Sequence, residues 1–165
     1  MTSDKKLSLY FIALIPPEPF RQQAGQWKEY FRDRYQSKAS LNSPPHITLH
    51  MPFKLKTKRE AELADKLQDL ARTFSPFVIE LEGFGAFPPR VIYIDVARNT
   101  ELANLQQAIH RQMKVGFQVF NANYRDRLFR PHLTLAFRDL KKAQFREAWA
   151  EFQPKEVRYT WEAAH

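Results

Sequence analysis

The stretch "SPPHITLHMPF", from Ser43 to Phe53, alternates polar with apolar side chains, and this pattern predicts a half-buried β-strand. Successive side chains of a strand point to opposite faces. One face is therefore expected to be polar and the other apolar: His46, Thr48 and His50 against Ile47, Leu49 and Met51. On its own, the polar face fits either a solvated edge or a functional site.

The same motif occurs again later in the chain. "PHLTL", Pro131–Leu135, repeats "PHITL", Pro45–Leu49, with one conservative change. The predicted elements around each copy also come in the same order, strand, helix, strand, helix, strand, over about residues 7–87 and 90–165. A short match in the same place of two identical element orders indicates an internal duplication.

The duplication predicts an α+β fold. Tyr10 is aligned with Tyr93 and His46 with His132, which lie 83 and 86 residues apart and imply a three-residue insertion. We expect one bilobal domain over residues 1–165, in which pseudo-two-fold β-α-β-α-β units form antiparallel sheets that line a central groove. The polar faces of the two motif strands are expected to confront each other across that groove.

The bounds of the predicted elements follow from hydrophobic period and turn residues. Strands are predicted at residues 7–15, 46–51, 76–87, 90–97, 132–137 and 156–164. Helices are predicted at residues 18–35 and 57–74, from 99 or 100 to the loop at 116–130, and at 139–152. Thr57 and Glu60 form a capping-box pattern at the second helix, and Asp139 is expected to start the fourth.

Composition limits the classes of protein that fit. The chain has 165 residues, and 26 Lys plus Arg against 18 Asp plus Glu give a net charge of +8, which favours anionic partners such as nucleic acid, nucleotide or a membrane surface. Without cysteine there is no disulfide, thiolate nucleophile or cysteine metal site. The N-terminal apolar run, Leu7–Ile15, is too short to span a membrane, so we expect a cytoplasmic protein with no membrane partner.

Two histidines and two threonines around one point suit phosphodiester chemistry. An imidazole titrates near pH 6.5, so one histidine can act as base and the other as acid at the same pH. Displacement at phosphorus is in-line and needs them on opposite sides of the phosphate, while hydroxyls can donate to the non-bridging oxygens. His46 and His50 lie roughly 13 Å apart along a strand, too far to share a metal ion easily. Neither motif has a carboxylate, and we expect no metal or cofactor.

"HITL", His46–Leu49, and "HLTL", His132–Leu135, resemble the paired His-x-Thr-x motifs of the two-histidine (2H) phosphoesterase superfamily. The flanking stretches "PRVIYIDV" and "FRPHLTLAF" are similar to its 2'-5' RNA ligase-like branch, whose members act as RNA 2',3'-cyclic phosphodiesterases. The resemblance covers nearly the whole chain and implies a metal-independent enzyme with both motifs in a central groove.

The resemblance also implies roles for four residues. His46 and His132 would be the general acid and base, and Thr48 and Thr134 would hold the phosphate. Water would open a 2',3'-cyclic phosphate to a 2'-phosphate, and the reverse type of reaction would join ends through a 2'-5' linkage. Which histidine is the base, and which direction matters in the cell, stay open.

Five further residues near the motifs are candidates for substrate binding. Arg130 precedes the second motif, and a guanidinium suits phosphate oxygens. Phe53, Tyr124 and Phe129 are candidates for stacking on bases, although a core role is the alternative in a chain with 14 phenylalanines. His50 has no histidine counterpart in the second copy and is expected at the rim of the groove.

RNA ends or nucleotide cyclic phosphates are therefore the expected partners, and the chain is expected to act as a monomer. Two other functions fit the same sequence. One is a cyclic phosphodiesterase for a small nucleotide such as ADP-ribose cyclic phosphate, and the other is an RNA- or nucleotide-binding module with weak or lost catalysis. The presence of both histidines with both threonines argues against lost catalysis.

Overall fold

The computed structural model describes residues 5–120 and 128–163, and it contains the six strands and four helices that the sequence predicts. The strands are β1 (Leu7–Leu14), β2 (Ile47–Lys56), β3 (Phe77–Phe87), β4 (Val91–Val96), β5 (His132–Ala136) and β6 (Arg158–Ala163). The helices are α1 (Phe20–Tyr35), α2 (Glu60–Arg72), α3 (Thr100–Phe117) and α4 (Lys142–Phe152). Within these described residues, each helix is too short or too polar to cross a membrane.

The strands form one antiparallel sheet in the order β1-β2-β5-β4-β3-β6. The predicted α+β class and antiparallel pairing are confirmed. The two halves of the sequence interleave, because β3 from the first half lies between β4 and β6 from the second. The two motif strands, β2 and β5, pair at one position, where Ile47 is the partner of Leu133.

The helices cover one face of the central strands. α1 packs on β5, α3 on β2 and α4 on β4, so each motif strand is covered by the first helix of the other half. The apolar side chains beneath them are almost fully buried: Ile47, Leu49, Ile92, Ile94, Leu133 and Leu135. Each such burial contributes about 1.5–3 kcal/mol, and the two halves share this core.

α1 and α3 end in the same way. Gln36 and Gln118 follow them in the left-handed conformation, with φ of 56° and 53°. One residue further on, a backbone N–H reaches back to the carbonyl of Phe31 at 3.1 Å and, in the second half, to that of Met113 at 3.0 Å. Equivalent residues here lie 82 positions apart, one fewer than the Tyr10–Tyr93 alignment implied.

The loop between α1 and β2 is anchored to the second motif strand. Asp139, which the sequence predicted to start α4, instead accepts hydrogen bonds from the Ser37 hydroxyl at 2.8 Å and from the next two backbone N–H groups at 2.9 and 3.1 Å. α4 begins three residues later. The Ser40 hydroxyl donates to the Leu135 carbonyl at 2.7 Å. The end of β5 therefore holds the loop that leads into the first motif.

The predicted capping box at α2 is absent. The Thr57 hydroxyl donates instead to the Lys6 carbonyl at 3.1 Å. A 3-10 turn, Thr57–Arg59, leads into the helix, and no side chain in the described part of the chain caps its first turn. Thr57 therefore ties the start of β1 to the end of β2, which is a tertiary contact that a local sequence pattern does not reveal.

Candidate active site

The single residue pair between β2 and β5 brings both motifs onto one face of the sheet, so the motif strands lie side by side and the expectation that they confront each other across a groove is wrong. Continuing its register by one residue sets His46 opposite Thr134, and on the other side it sets Thr48 opposite His132. Directly opposed Cβ atoms lie about 5 Å apart and diagonal ones about 7–8 Å, which leaves room for a phosphate group between the imidazoles. All four side chains are half-buried and therefore reachable from solvent.

The backbone orients the two imidazoles identically. Nδ1 of His46 donates to the Pro44 carbonyl at 2.7 Å, and Nδ1 of His132 donates to the Arg130 carbonyl, also at 2.7 Å. A carbonyl oxygen only accepts, so Nδ1 carries the proton in both rings. Nε2 is then the atom available for proton transfer in each histidine, which is the arrangement that an acid–base pair requires.

Aromatic rings hold both imidazoles from the neighbouring strands. The Phe11 ring lies 4.9 Å from that of His46, and the Tyr93 ring lies 5.1 Å from that of His132. Phe11, rather than Tyr10, is therefore the counterpart of Tyr93, 82 residues away. The two histidines differ by 86 positions and the two aromatic residues by 82, so the second half carries an insertion of four residues rather than three. A one-residue slip matters in a strand, because it moves every side chain to the other face.

A glycine makes room for the Tyr93 ring. Gly85 on β3 is the cross-strand partner of Tyr93 on β4. A Cβ at Gly85 would overlap the tyrosine ring. The absent side chain lets the ring lie flat over β3 and reach both Phe87, at 4.5 Å between centroids, and His132.

The electrostatic surroundings of the two histidines differ. Burial lowers the pKa of His46, and the positive charges of Lys28 and His132 lower it further, against its hydrogen bond to the Pro44 carbonyl. Burial also lowers the pKa of His132, but the Arg130 carbonyl and the Asp95 carboxylate oppose that shift. Both imidazoles thus favour the neutral form more than a free histidine does, and among the described residues only His132 has a carboxylate that stabilises its cation.

Lys28 is a site residue that the sequence analysis missed. Its side chain is 2% exposed, and Nζ donates to the carbonyls of Ser40 at 2.7 Å and Ser43 at 3.0 Å. Burial lowers its pKa to about 8, so it still carries its charge near neutral pH. Lys28 lies between Ala24 and Phe31 on the apolar stripe of α1, and a lysine in that stripe was the available signal.

The structure separates the five candidates for substrate binding. Arg130 and Phe129 line a cavity of about 440 Å³ beside His132. Tyr124 lies outside the described residues. Phe53 is buried and packs on Tyr10, with ring centroids 6.1 Å apart, so its ring belongs to the core.

His50 does not share the face of His46, so its expected place at the groove rim is wrong. The pairing of β1 with β2 shifts on both sides of Ile12, which is the partner of His50. This irregularity turns His50 toward the helices, where it is 1% exposed and its ring lies 5.1 Å from that of His110 on α3. Its Nδ1 donates to the Met51 carbonyl at 2.8 Å.

No group of three or more His, Cys, Asp or Glu side chains comes together as a metal site in residues 5–120 and 128–163. The imidazoles of His46 and His132 interact electrostatically and lie on the same face of the sheet as the Thr48 and Thr134 hydroxyls. Such a site on an antiparallel α+β fold defines the class of two-histidine phosphoesterases.

The chain belongs to the 2'-5' RNA ligase superfamily, whose family model matches residues 16–165. It is similar to "Putative phosphoesterase GK0864" of Geobacillus kaustophilus, with 29% identity over 152 residues, covering 91% of this chain and 80% of the relative. A relative from Bacillus anthracis, named "Putative phosphoesterase", is 30% identical over 150 residues, covering 90% of this chain and 80% of the relative. The sequence motifs therefore predicted the superfamily correctly, and the chain is an enzyme of the two-histidine phosphoesterase type.

Two solved structures share the fold. TT0787 of Thermus thermophilus superposes with a TM-score of 0.65 at 21% identity, covering 95% of this chain and 83% of that one. LigT of E. coli, complexed with 3'-AMP, superposes with a TM-score of 0.58 at 24% identity, covering 82% and 74%. At these identities the likeness shows the fold.

We predict that Lys28→Met raises the pKa of His46 toward its ordinary value, because it removes a positive charge that disfavours the imidazolium. Loss of the partner of two loop carbonyls should also destabilise the protein by about 1–3 kcal/mol. Proton NMR titration of the imidazoles measures the first effect and urea unfolding the second. Lys28→Arg, which keeps the charge, is the matched control. An unchanged His46 titration in Lys28→Met contradicts the assignment.

We predict that acid weakens the fold through His50. Burial lowers the folded-state pKa of His50 below 6.5, and the nearby His110 charge adds to this. As pH falls through about 6.5, the unfolded chain takes up the proton first, so the free energy of unfolding decreases. Urea unfolding is measured one pH unit above and one pH unit below 6.5. Between these two values, the free energy of unfolding should decrease less in His50→Gln than in the unaltered protein. The exposed Gln107→Ala is the control, and a wild-type slope in His50→Gln refutes the prediction.

Proposed function

We propose that the protein is a metal-independent phosphodiesterase that opens 2',3'-cyclic phosphates on RNA ends or nucleotides. The observation that carries the proposal is the matched pair of Nδ1 hydrogen bonds, which leaves Nε2 of His46 and of His132 free for proton transfer. Family membership supports phosphoester chemistry, and the LigT complexes with 3'-AMP and NADP+ support a nucleotide ligand.

The reaction needs one proton acceptor and one proton donor. Nε2 of the neutral imidazole takes a proton from water, whose oxygen bonds to phosphorus as the bond from phosphorus to the 3' oxygen breaks. Nε2 of the imidazolium on the other side protonates that leaving oxygen, and the product is a 2'-phosphate. The two histidines end in exchanged protonation states and reset through solvent.

The remaining side chains stabilise charge on the phosphate. The hydroxyls of Thr48 and Thr134 lie on the same face as the imidazoles and donate to the non-bridging oxygens, which gain negative charge in the transition state. Arg130, beside His132, supplies a positive charge that attracts the anionic substrate without a metal. In this mechanism the histidines transfer the protons, and the threonines stabilise the negative charge on the phosphate.

We predict that the protein hydrolyses adenosine 2',3'-cyclic phosphate in EDTA and yields the 2'-phosphate. His46→Ala and His132→Ala should each reduce kcat by about 10²–10⁴-fold, because each removes one proton-transfer step. Thr48→Val and Thr134→Val should each cost about 10²-fold by removing one hydrogen-bond donor. The readout is product separation by chromatography.

His110→Gln is the control, since His110 lies on the helix side of the sheet, and it should retain activity. Loss of activity in EDTA would overturn the metal-free mechanism. Binding of the nucleotide without turnover would favour the non-catalytic module. Turnover of ADP-ribose cyclic phosphate alone would favour the small-nucleotide enzyme.

A further inference from the structure

The residues around His132 differ from those around His46. Beside His132, between β4 and the start of α3, lies the cavity of about 440 Å³. Charged and aromatic residues dominate its lining: Arg98, Arg130, Asp95, Phe87, Tyr93 and Phe129. A pocket of this size accommodates a small organic ligand such as a nucleoside.

The positive charges in this cavity are available to an anion. Arg98 and Arg130 are both exposed, and neither forms an ion pair within residues 5–120 and 128–163. Two guanidinium groups outnumber the one carboxylate of Asp95, which also acts on the His132 imidazole. Guanidinium forks match phosphate oxygens, so the cavity can bind a phosphate in addition to the one between the histidines.

Aromatic rings line the same cavity. Phe87 and Tyr93 lie against each other with centroids 4.5 Å apart, and Phe129 stands on the loop before the second motif. All three are only partly buried. Half-exposed rings next to cationic side chains are the usual surface on which single-stranded bases stack.

The side of His46 lacks these groups. The positions equivalent to Asp95 and Arg98, 82 residues earlier, hold Ala13 and Pro16. The position equivalent to Arg130, 86 residues earlier, holds Pro44. The exposed side chains on that side include Leu9 and Phe11 of β1, at 68% and 42% exposure. At these equivalent positions only the His132 side therefore carries guanidinium groups, since the exposed lysines on the other side, Lys54 and Lys56, lie further along β2, where Lys54 pairs with Leu9.

From this asymmetry we infer that the nucleoside and the 5'-phosphate of the substrate bind beside His132, with Arg98 and Arg130 holding the 5'-phosphate. The inference rests on the proposed function and narrows its substrate class. The preferred substrate is a cyclic phosphate that carries a second phosphate on the 5' side, rather than a bare nucleoside cyclic phosphate. The reaction itself is unchanged.

The test compares kcat/KM for adenosine 2',3'-cyclic phosphate with and without a 5'-phosphate. The unaltered protein should prefer the 5'-phosphorylated substrate by about 10–100-fold, the range expected for hydrogen bonds to a charged group. Arg98→Gln with Arg130→Gln should bring the ratio close to one, with most of the change in KM. Arg111→Gln, an exposed arginine of α3 at a different cavity, is the matched control and should keep the ratio.

A dinucleotide that ends in a cyclic phosphate distinguishes an RNA end from a mononucleotide with a terminal 5'-phosphate. Higher kcat/KM than for the 5'-phosphorylated mononucleotide indicates an RNA end, and lower kcat/KM indicates the mononucleotide. Equal kcat/KM with and without the 5'-phosphate in the unaltered protein overturns the inference, as does a preference that survives the double substitution.

Failure of the proposed function is distinguishable from failure of this inference. If the unaltered protein turns over none of the substrates, calorimetry compares 5'-AMP with adenosine. Tighter binding of 5'-AMP that disappears in the double variant supports the cavity without any catalysis. Equal binding of the two ligands, or a preference that the double variant retains, overturns it.

Discussion

The pairing of Ile47 with Leu133 is the contact on which the rest of the site depends. It joins the two motif strands at one point and buries both apolar side chains under the helices. Since side chains alternate along a strand, burial of these two residues turns their polar neighbours to the open face. Truncating either side chain costs about 2–5 kcal/mol, and a one-residue slip would carry the histidines into the core. The same hydrophobic contact therefore stabilises the fold and assembles the candidate chemistry.

Backbone carbonyls and neighbouring loops then fix the orientation of the two imidazoles. Each imidazole donates through Nδ1 to the carbonyl two residues before it, so both present Nε2 in the same way. The loop before His46 is held further by Lys28 and by Asp139. This network spans both halves of the chain, because Asp139 follows the second motif and Lys28 lies on the first helix. If the site acts on a phosphate as proposed, this support lets it do so with little reorganisation.

Local sequence patterns predicted much of this molecule. The strand and helix order and the shared face of each His-Thr pair follow from hydrophobic period, and the α+β class follows from the internal duplication. The place of His50 did not, because the shift in register around Ile12 depends on how β1 pairs with β2. The role of Lys28 depends on loop carbonyls far along the chain, and the matching of Phe11 to Tyr93 depends on ring contacts across strands. In each case the missing information was a tertiary contact.

The proposed mechanism requires that His46 and His132 act on one phosphate from two sides. The most direct measurement is nitrogen NMR of the protein labelled with ¹⁵N-histidine, titrated with adenosine 2'-monophosphate. If both histidines bind one phosphate, Nε2 of both should respond along one binding curve, while Nδ1 keeps its proton in both. A response from only one of the two imidazoles, or two separate binding curves, would contradict the paired site.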